Sequence, residues 1–295
     1  ERSARKLSKA VSFSSSGIVL TDQRLNVEYI NPFLTEMLGC DTEQLQAQPL
    51  HRLFAEEMHH VGEEIAQTLA ERQHWRGDML LQYQQRQLWV SLAIAPIRDE
   101  KGEISNYVCA MQDISFIKQS QKKMEQLAYY DVLTGLANRR LLEEHMLQAM
   151  AASRRSQHYC GLMFIDLDNF KPVNDIYGHK KGDSLLVEVA IRLRNTVRQA
   201  DTVARFGGDE FIVLLRDIDP DHNRSKEHMQ AIAAKISQEL SRPYPLTEHC
   251  MHQCACSVGM VLFQGDHDCD ELLRRADSAM YQAKNGKLNQ PCWFS

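Results

Sequence analysis

The most informative segment of this chain reads Val203-Ala204-Arg205-Phe206-Gly207-Gly208-Asp209-Glu210-Phe211-Ile212-Val213-Leu214-Leu215. Two apolar runs flank a Gly-Gly-Asp-Glu tip, which is the pattern of a β-hairpin with a glycine-containing turn. Because glycine carries no side chain, a bulky ligand can approach the backbone at this tip. Two adjacent carboxylates suit a hard cation shared with substrate phosphates. A solvated turn, in which Asp209 and Glu210 only keep the tip soluble, explains the same pattern.

The composition is that of an ordinary globular protein. A length of 295 residues suggests about two domains, and 43% of the residues are hydrophobic. A net charge of -5 argues against a nucleic-acid-binding surface. No apolar run approaches the ~20 residues of a membrane helix, and no signal peptide is visible. We therefore expect a cytoplasmic protein. The chain begins at Glu1 without methionine, so the alternative is the cytoplasmic part of a longer, membrane-anchored protein.

The eight cysteines are too sparse for a disulfide scaffold. One cluster stands out, His249-Cys250-Met251-His252-Gln253-Cys254-Ala255-Cys256. On a single strand, Cys250, His252, Cys254 and Cys256 would all point to one face. A zinc site is therefore one hypothesis for this segment. A flat strand does not wrap a tetrahedral ion by itself, so we favour a plain strand here.

Alternating and apolar runs in the first 115 residues predict five strands with helices between the second and third. The strands are predicted at 17–22, 27–30, 78–83, 88–97 and 104–111, and the longer helix at 56–71. Two strands, helices and then three strands indicate an α+β module built on one antiparallel sheet.

This first part, residues 1–115, resembles a PAS domain. The resemblance rests on Gly17-Ile18-Val19-Leu20-Thr21-Asp22, Tyr29-Ile30-Asn31-Pro32, Trp75-Arg76-Gly77 and Asp113-Ile114-Ser115. It implies a sensor of a small ligand, haem, flavin or redox state, or a dimerisation module, and the ligand is unknown. Haem ligation by His51, His59 or His60 is one alternative, and ordinary surface histidines are the other.

Residues 116–130 form a predicted linker helix. Ile117, Met124 and Leu127 recur at seven- and three-residue spacings with polar residues between them. This is a two-heptad apolar seam, short for a coiled coil. A signalling helix that pairs two protomers is the interpretation we favour, and a solvated linker helix is the alternative.

The remaining segment, residues 131–295, alternates strands and helices, which indicates an α/β module with helices over a central mixed sheet. Strands are predicted at 160–166, 203–206, 211–215 and 254–263, and helices at 139–153, 171–176, 183–198, 225–241 and 270–284.

One buried strand of this module ends in an acid and leads into a helix, in the segment Phe164-Ile165-Asp166-Leu167-Asp168-Asn169-Phe170-Lys171-Pro172. The strand-to-helix turn offers free backbone N–H groups that suit a phosphate, and Lys171 adds a positive charge. If Asp166 and Asp209 lie on neighbouring strands, they can share Mg²⁺ ions that bridge a triphosphate.

Asn174 and Asp183 flank the segment Gly178-His179-Lys180-Lys181-Gly182. A carboxylate can accept from guanine N1–H and N2–H₂ together, whereas adenine leaves it unpaired. Alternatively, Asp183 is the N-cap of the helix that follows, and Asn174 is only a loop residue.

Together these segments resemble the GGDEF diguanylate cyclases, nucleotidyltransferases that join two GTP into cyclic di-GMP. The resemblance spans about 165 residues with the segments in order and the spacings intact, which makes the match specific. The matching segments are 131–139, 166–171, 174–175, 178–179, 182–183, 205–211, 257–259 and 276–284.

The resemblance implies roles for individual residues. Asp166 and Asp209 would bind Mg²⁺ (or Mn²⁺), with the Leu167 carbonyl assisting. Glu210 would be either a further metal ligand or the base that takes the ribose 3′-OH proton. It further implies that each domain binds one GTP, so a homodimer through the PAS domain and linker helix is required. The residues implied in binding guanosine and phosphates are Phe170, Asn174, His179 and Asp183, with Lys171 and Lys284 on the phosphates.

Arg198-Gln199-Ala200-Asp201 lies five residues before Gly207 and resembles the Arg-x-x-Asp product-inhibition site of the family. The resemblance implies that Arg198 contacts a phosphate and a guanine edge of the product and that Asp201 contacts guanine. The alternative is a helix-end arginine beside a surface aspartate. Two features depart from or extend the family pattern. The segment after the last helix is one residue short, with Lys287 in place of arginine, and the tail from Gln290 resembles a linker to an EAL phosphodiesterase domain. The chain could therefore also be a catalytically weak, GTP-binding regulator of such a domain.

Overall fold

The computed structural model describes residues 6, 9, 11–55, 61–72, 74–247, 250–286 and 291–294. The chain divides into two compact units, Glu1–Lys123 and Met124–Ser295. Of the helix predicted at 56–71, the structure describes the part from Val61 onward. His59, His60 and Lys287 lie outside the described residues. No helix among the described residues has the length and apolar character needed to cross a membrane.

The N-terminal unit contains one antiparallel sheet of five strands in the order β2-β1-β5-β4-β3. The strands are β1 Gly17–Thr21, β2 Val27–Ile30, β3 Trp75–Tyr83, β4 Arg86–Arg98 and β5 Ile104–Asp113. Between β2 and β3 lie α1 Pro32–Leu38, α2 Thr42–Leu45, the 3₁₀ helix Leu50–Leu53 and α3 Val61–Arg72. These bounds match the strand and helix pattern predicted from the sequence.

Asn31 ties the start of α1 to the sheet. Its side chain is fully buried, and its Oδ1 accepts from the N–H groups of Ile18 (2.9 Å) and Leu34 (3.2 Å). Its Nδ2 donates to the carbonyls of Val11 (3.1 Å) and Ser16 (2.9 Å). A buried amide with donors and acceptor all paired avoids the cost of desolvation, and it explains the Asn-Pro signal in the sequence.

Helix α4, Ser115–Tyr129, occupies the predicted linker and contains no buried residue. Its first turn is bound to the PAS-like sheet, because Ser115 Oγ accepts from the Trp89 N–H at 3.0 Å and Lys118 pairs with Asp78 at 2.7 Å. Its apolar side chains stay exposed, for example Met124 at 69%. Among the described residues, the apolar side chains of α4 are thus largely uncovered.

The C-terminal unit is built on a mixed sheet in the order β12-β11-β6-β8-β7, in which only the β11–β12 pair is parallel. Its strands are β6 Cys160–Leu167, β7 Thr202–Gly207, β8 Glu210–Leu215, β11 Cys256–Phe263 and β12 Cys292–Trp293. A separate hairpin consists of β9 Tyr244–Thr247 and β10 Cys250–His252. The helices are α5 Arg139–Ser156, α6 Phe170–Tyr177, α7 His179–Thr196, α8 His222–Leu240 and α9 Cys269–Asn285.

Helices cover both faces of this sheet, so the central strand β6 is buried along its whole length. Because side chains alternate along a strand, Met163 and Ile165 pack in one core with α6, α7 and α8. Leu162 and Phe164 pack in the opposite core with α5 and α9. Two-sided burial explains why β6 reads as a continuous apolar run that ends in an acid.

The predicted α+β fold class is confirmed, and three local predictions are corrected. Helix α7 begins at His179, so Asp183 lies inside the helix and is not its N-cap. The 249–256 segment is not one strand, because β10 ends at His252 and β11 begins at Cys256. The zinc hypothesis required a single continuous strand, and the structure does not have one there. The tail contributes β12, a strand that the sequence reading missed.

Candidate active site

The β7–β8 hairpin tip lies at the end of β6. In the β6–β8 ladder, Asp166 is the direct partner of Glu210, and the Leu167 N–H reaches the Asp209 carbonyl at 3.3 Å. Gly208, at the turn, has a φ of +50°, a left-handed conformation that glycine tolerates. Strand pairing thus brings Asp166 beside the two acids of the tip, as predicted.

The three carboxylates repel one another. Burial and then the charge of Asp166 raise the pKa of Asp209. The pKa of Glu210 is raised by burial and by the charges of Asp166, Asp277 and Asp209. Such mutual repulsion marks a site that gains stability when a cation enters.

Lys284, in the last turn of α9, supplies one cation. Its Nζ lies 2.5 Å from Asp166 Oδ1, and this hydrogen bond is the main reason why the pKa of Lys284 is raised. Lys284 reaches the site because α9 packs tightly on β11. A Cβ added at Gly259 would lie 2.1 Å from both the Ala276 carbonyl and the Met280 nitrogen. Gly259 is therefore needed for the close approach of strand and helix.

The donor set fits a magnesium-type ion. Within the described segments, no three His, Cys, Asp or Glu side chains converge closely enough to hold an ion alone. Mg²⁺ usually takes only one or two carboxylates and completes its shell with water and substrate phosphates. The acids Asp166, Asp209 and Glu210 therefore suit an ion that arrives with a nucleotide.

The loop after β6 is held by β11 and the residues just before it. Ser257 Oγ donates to Asp168 Oδ1 at 2.8 Å, the Asp168 N–H donates to the Ala255 carbonyl at 2.9 Å, and Cys254 Sγ lies 3.1 Å from the Asp168 carbonyl. Asp168 is thus engaged in fixing the loop. The sequence reading matched Ser257 to the family but assigned it no role.

Helices α6 and α7 form a tight corner with Gly178 (φ +81°) at the junction. A Cβ at Gly182 would lie 1.9 Å from Asn174 Oδ1, so the absence of a side chain there lets Asn174 pack against α7. Asn174 is half-buried, whereas His179 and Asp183 are exposed. The structure therefore brings Asn174 next to the turn of α7 that carries Asp183. Phe170 is buried at the start of α6, and Lys171 beside it is exposed.

Arg205 fixes the hairpin tip from behind. Its guanidinium donates to the Gly208 carbonyl from Nε (3.0 Å) and Nη2 (2.7 Å), and Nη1 lies 3.2 Å from both carboxylate oxygens of Asp131. Burial acts to raise the pKa of Asp131, but hydrogen bonds from Thr134 and Arg205 outweigh it, and the pKa is lowered. Sequence reasoning placed Asp131 and Arg205 in matched segments without finding this contact.

The structure places Arg198 and Asp201 in the turn between α7 and β7. The Asp201 carboxylate accepts from the backbone N–H groups of Arg198 and Arg216, each at 3.1 Å, and its side chain is 1% exposed. The Arg198 side chain is 55% exposed and contacts His228 on α8. His228 was not among the predicted site residues.

The N-terminal unit contains a cavity of about 430 Å³ near the predicted haem candidate His51. Its walls are mostly apolar, which suits a small molecule. The lining residues are Arg24, Leu25, Leu50, His51, Phe54, Gly62, Glu63, Ile65, Met79, Leu92 and Ile94.

Comparison with known proteins identifies the class. Residues 128–290, more than half of the chain, match the family described as "Diguanylate cyclase, GGDEF domain", and residues 5–114 match the PAS fold. The chain therefore belongs to the GGDEF family and carries a PAS domain before the GGDEF domain, which confirms the resemblance noted in the sequence.

Individual relatives refine this assignment. MucR of Pseudomonas aeruginosa, a bifunctional diguanylate cyclase/cyclic di-GMP phosphodiesterase, is 40% identical over 202 residues, covering 68% of this chain and 28% of MucR. The cyclic di-GMP phosphodiesterase PdeR of Escherichia coli is 30% identical over 312 residues, covering 99% and 44%. The chain thus spans less than half the length of either relative.

A solved structure supports the fold of the second unit. The GGDEF domain of DgcB from Caulobacter crescentus, in complex with c-di-GMP, is 26% identical, with a TM-score of 0.51. The alignment covers 56% of this chain and 95% of that domain.

Proposed function

We propose that the chain is a diguanylate cyclase, which condenses two GTP into cyclic di-GMP and two pyrophosphates. The observation that carries this proposal is the pairing of Asp166 with Glu210 across the β6–β8 ladder, with Asp209 and Lys284 at the same place. This is an oxygen-rich, negatively charged site with the Lys284 ammonium beside it, in a chain of the GGDEF family. Such a site suits a metal-bound triphosphate.

In this proposal Asp166, the Leu167 carbonyl, Asp209 and Glu210 hold Mg²⁺ (or Mn²⁺). When bound, the ion supplies charge stabilisation at the α-phosphate. Lys284 leaves Asp166 and contacts the phosphates together with Lys171. Glu210 is either a further ligand of the ion or the base that takes the 3′-OH proton.

We assign guanine binding to the corner between α6 and α7. Asp183 accepts from guanine N1–H and N2–H₂, and Asn174, packed against Gly182, contacts another edge of the base. Phe170 and His179 bound the same corner. This arrangement discriminates against adenine, because adenine would leave Asp183 without a donor.

The reaction needs two copies of the chain. The 3′-oxygen of one GTP forms a bond to the α-phosphorus of the other, the bond from that phosphorus to the pyrophosphate oxygen breaks, and the second half-reaction repeats this in the other direction. Each unit supplies one site, so dimerisation provides the proximity. We assign this dimer to the PAS domain and to the exposed apolar side chains of α4. These are Phe116 (80% exposed), Ile117 (51%), Met124 (69%) and Leu127 (54%).

We further propose feedback by the product at the turn Arg198–Asp201, with Arg198 facing a phosphate. The exposed guanidinium and the c-di-GMP complex of the related DgcB domain support this assignment. The protein acts in the cytoplasm, or as the cytoplasmic part of a longer protein, because its substrate GTP is found there.

A second candidate function is a GTP-binding module that regulates a phosphodiesterase domain and turns over weakly. Two relatives support this candidate. MucR is a bifunctional cyclase and phosphodiesterase, PdeR is a phosphodiesterase, and both extend well beyond the matched region. An EAL domain after the tail would be the regulated partner.

Chromatography of a GTP and Mg²⁺ reaction separates the two functions. We expect cyclic di-GMP from the parent chain and none from Asp209→Asn, while Asp266→Asn, on the surface ion pair with Arg154, behaves like the parent. GTP binding without cyclic di-GMP in the parent would favour the regulatory module. Full activity in Asp209→Asn would remove the proposed metal site.

A further inference from the structure

Arg198 makes a side-chain contact that the sequence motif does not include. Its Nη2 lies 3.0 Å from His228 Nε2, across the gap between the α7–β7 turn and α8. A guanidinium can only donate hydrogen bonds, so Nε2 must be the acceptor. This contact forms with the imidazole tautomer that carries its proton on Nδ1.

Asp201, by contrast, is turned inward. Both its carboxylate oxygens accept backbone N–H groups, from Arg198 and from Arg216, and its Oδ2 lies 4.0 Å from Arg198 Nε. With 1% of the side chain exposed, Asp201 shapes the turn and does not face solvent. The Arg198 and His228 side chains, by contrast, are exposed.

We infer that His228 is a positioning residue of the product-binding surface and that the ligand phosphodiester meets Arg198 held by His228. Without the acceptor at Nε2, the long arginine side chain samples many rotamers and pays for ordering when a ligand binds. With it, two donors of the guanidinium fork remain free for a phosphate, which arginine binds in a bidentate way. This inference rests on the proposed product feedback.

The experiment is titration calorimetry of the parent and four variants with cyclic di-GMP in the absence of GTP. Loss of one hydrogen bond that orders a charged group should weaken binding of cyclic di-GMP by His228→Ala about five- to tenfold. His228→Gln should bind within about twofold of the parent, because its amide oxygen can accept from Arg198 in place of Nε2. His222→Ala, on the same helix beside Tyr159, serves as the control and should bind like the parent.

Parent-like binding by His228→Ala, or equal weakening in the glutamine variant, would overturn the inference. Arg198→Ala distinguishes a wrong product-binding site from a wrong role for His228. If that variant also binds like the parent, the proposed feedback site itself fails; if only Arg198→Ala loses binding, His228 has no part in an otherwise correct site. Melting temperatures of all variants should stay equal, since both side chains lie at the surface.

Discussion

Replacing Arg205 tests whether the hairpin tip must be held from behind for catalysis. The guanidinium is 14% exposed and spans the Asp131 carboxylate (23% exposed) and the Gly208 carbonyl. Arg205→Ala removes two donors to the carbonyl and leaves the aspartate without its cation. A hydrogen bond to a charged group contributes about 1.5–3 kcal/mol, so we expect a loss of about 2–4 kcal/mol in the free energy of unfolding.

The effect on turnover should exceed the effect on the folded fraction. Gly208 immediately precedes Asp209 and Glu210, so a freed tip moves the metal-binding acids. A displacement of about 1 Å can cost about 100-fold in rate, and we expect kcat of Arg205→Ala to fall by about that factor where the variant is still folded. Arg205→Lys should lie between, because lysine is a point charge and cannot span both acceptors.

The assay measures cyclic di-GMP formation at saturating GTP, alongside urea unfolding followed by circular dichroism. Arg194→Ala is the matched control. Arg194 donates to the Gly135 carbonyl at 3.1 Å, in the loop that carries Asp131, and its described hydrogen bond does not involve the hairpin tip. A double-mutant cycle with Asp131→Ala should show coupling of about 1–3 kcal/mol. Turnover of folded Arg205→Ala within about threefold of the parent, or equal losses in Arg194→Ala, would refute this reasoning.

Three further predictions concern the same unit. Because the pKa values of Asp209 and Glu210 are raised, these acids take up protons at higher pH than ordinary carboxylates, so Mn²⁺ affinity measured by electron paramagnetic resonance should begin to fall on acidification before ordinary carboxylates are protonated; an affinity that does not change on acidification would contradict the assignment. Gly259→Ala should cost about 1–3 kcal/mol or more in urea unfolding, because its Cβ meets α9 backbone atoms at 2.1 Å, and a parent-like midpoint would show that β11 can shift. Lys284→Met should raise the KM for GTP several-fold with little change in fold, checked by initial rates and circular dichroism, and a parent-like KM would exclude a phosphate contact at this position.

Much of the fold followed from local patterns. Apolar alternation predicted the five strands of the PAS domain, and the run ending in Asp166 predicted the central strand of the second unit. These signals are short-range, because the side-chain period of a strand or helix depends on neighbours a few residues away. The Gly-Gly-Asp-Glu segment likewise predicted a hairpin turn, since such turns have their own residue preferences.

Local patterns misled where glycine serves packing. The segment Gly178-His179-Lys180-Lys181-Gly182 reads as a loop, yet α7 begins at His179 and Gly182 lies inside it. Gly182 is there because Asn174 occupies the space of a side chain. A missing Cβ can mean a turn or a close approach, and only the neighbouring helix distinguishes the two.

Sequence alone thus predicted most of the elements and their class, and it proposed the acids of the candidate site. The tertiary structure decided which of these groups are free and which are engaged. Asp168 is bound to Ser257 and Asp201 to backbone N–H groups, while Asp166 faces Glu210 and Arg198 meets His228. Arg198 and His228 lie 30 residues apart in the chain, and Asp168 and Ser257 lie 89 residues apart. Pairing over such separations depends on strand register and helix packing, which no local period encodes.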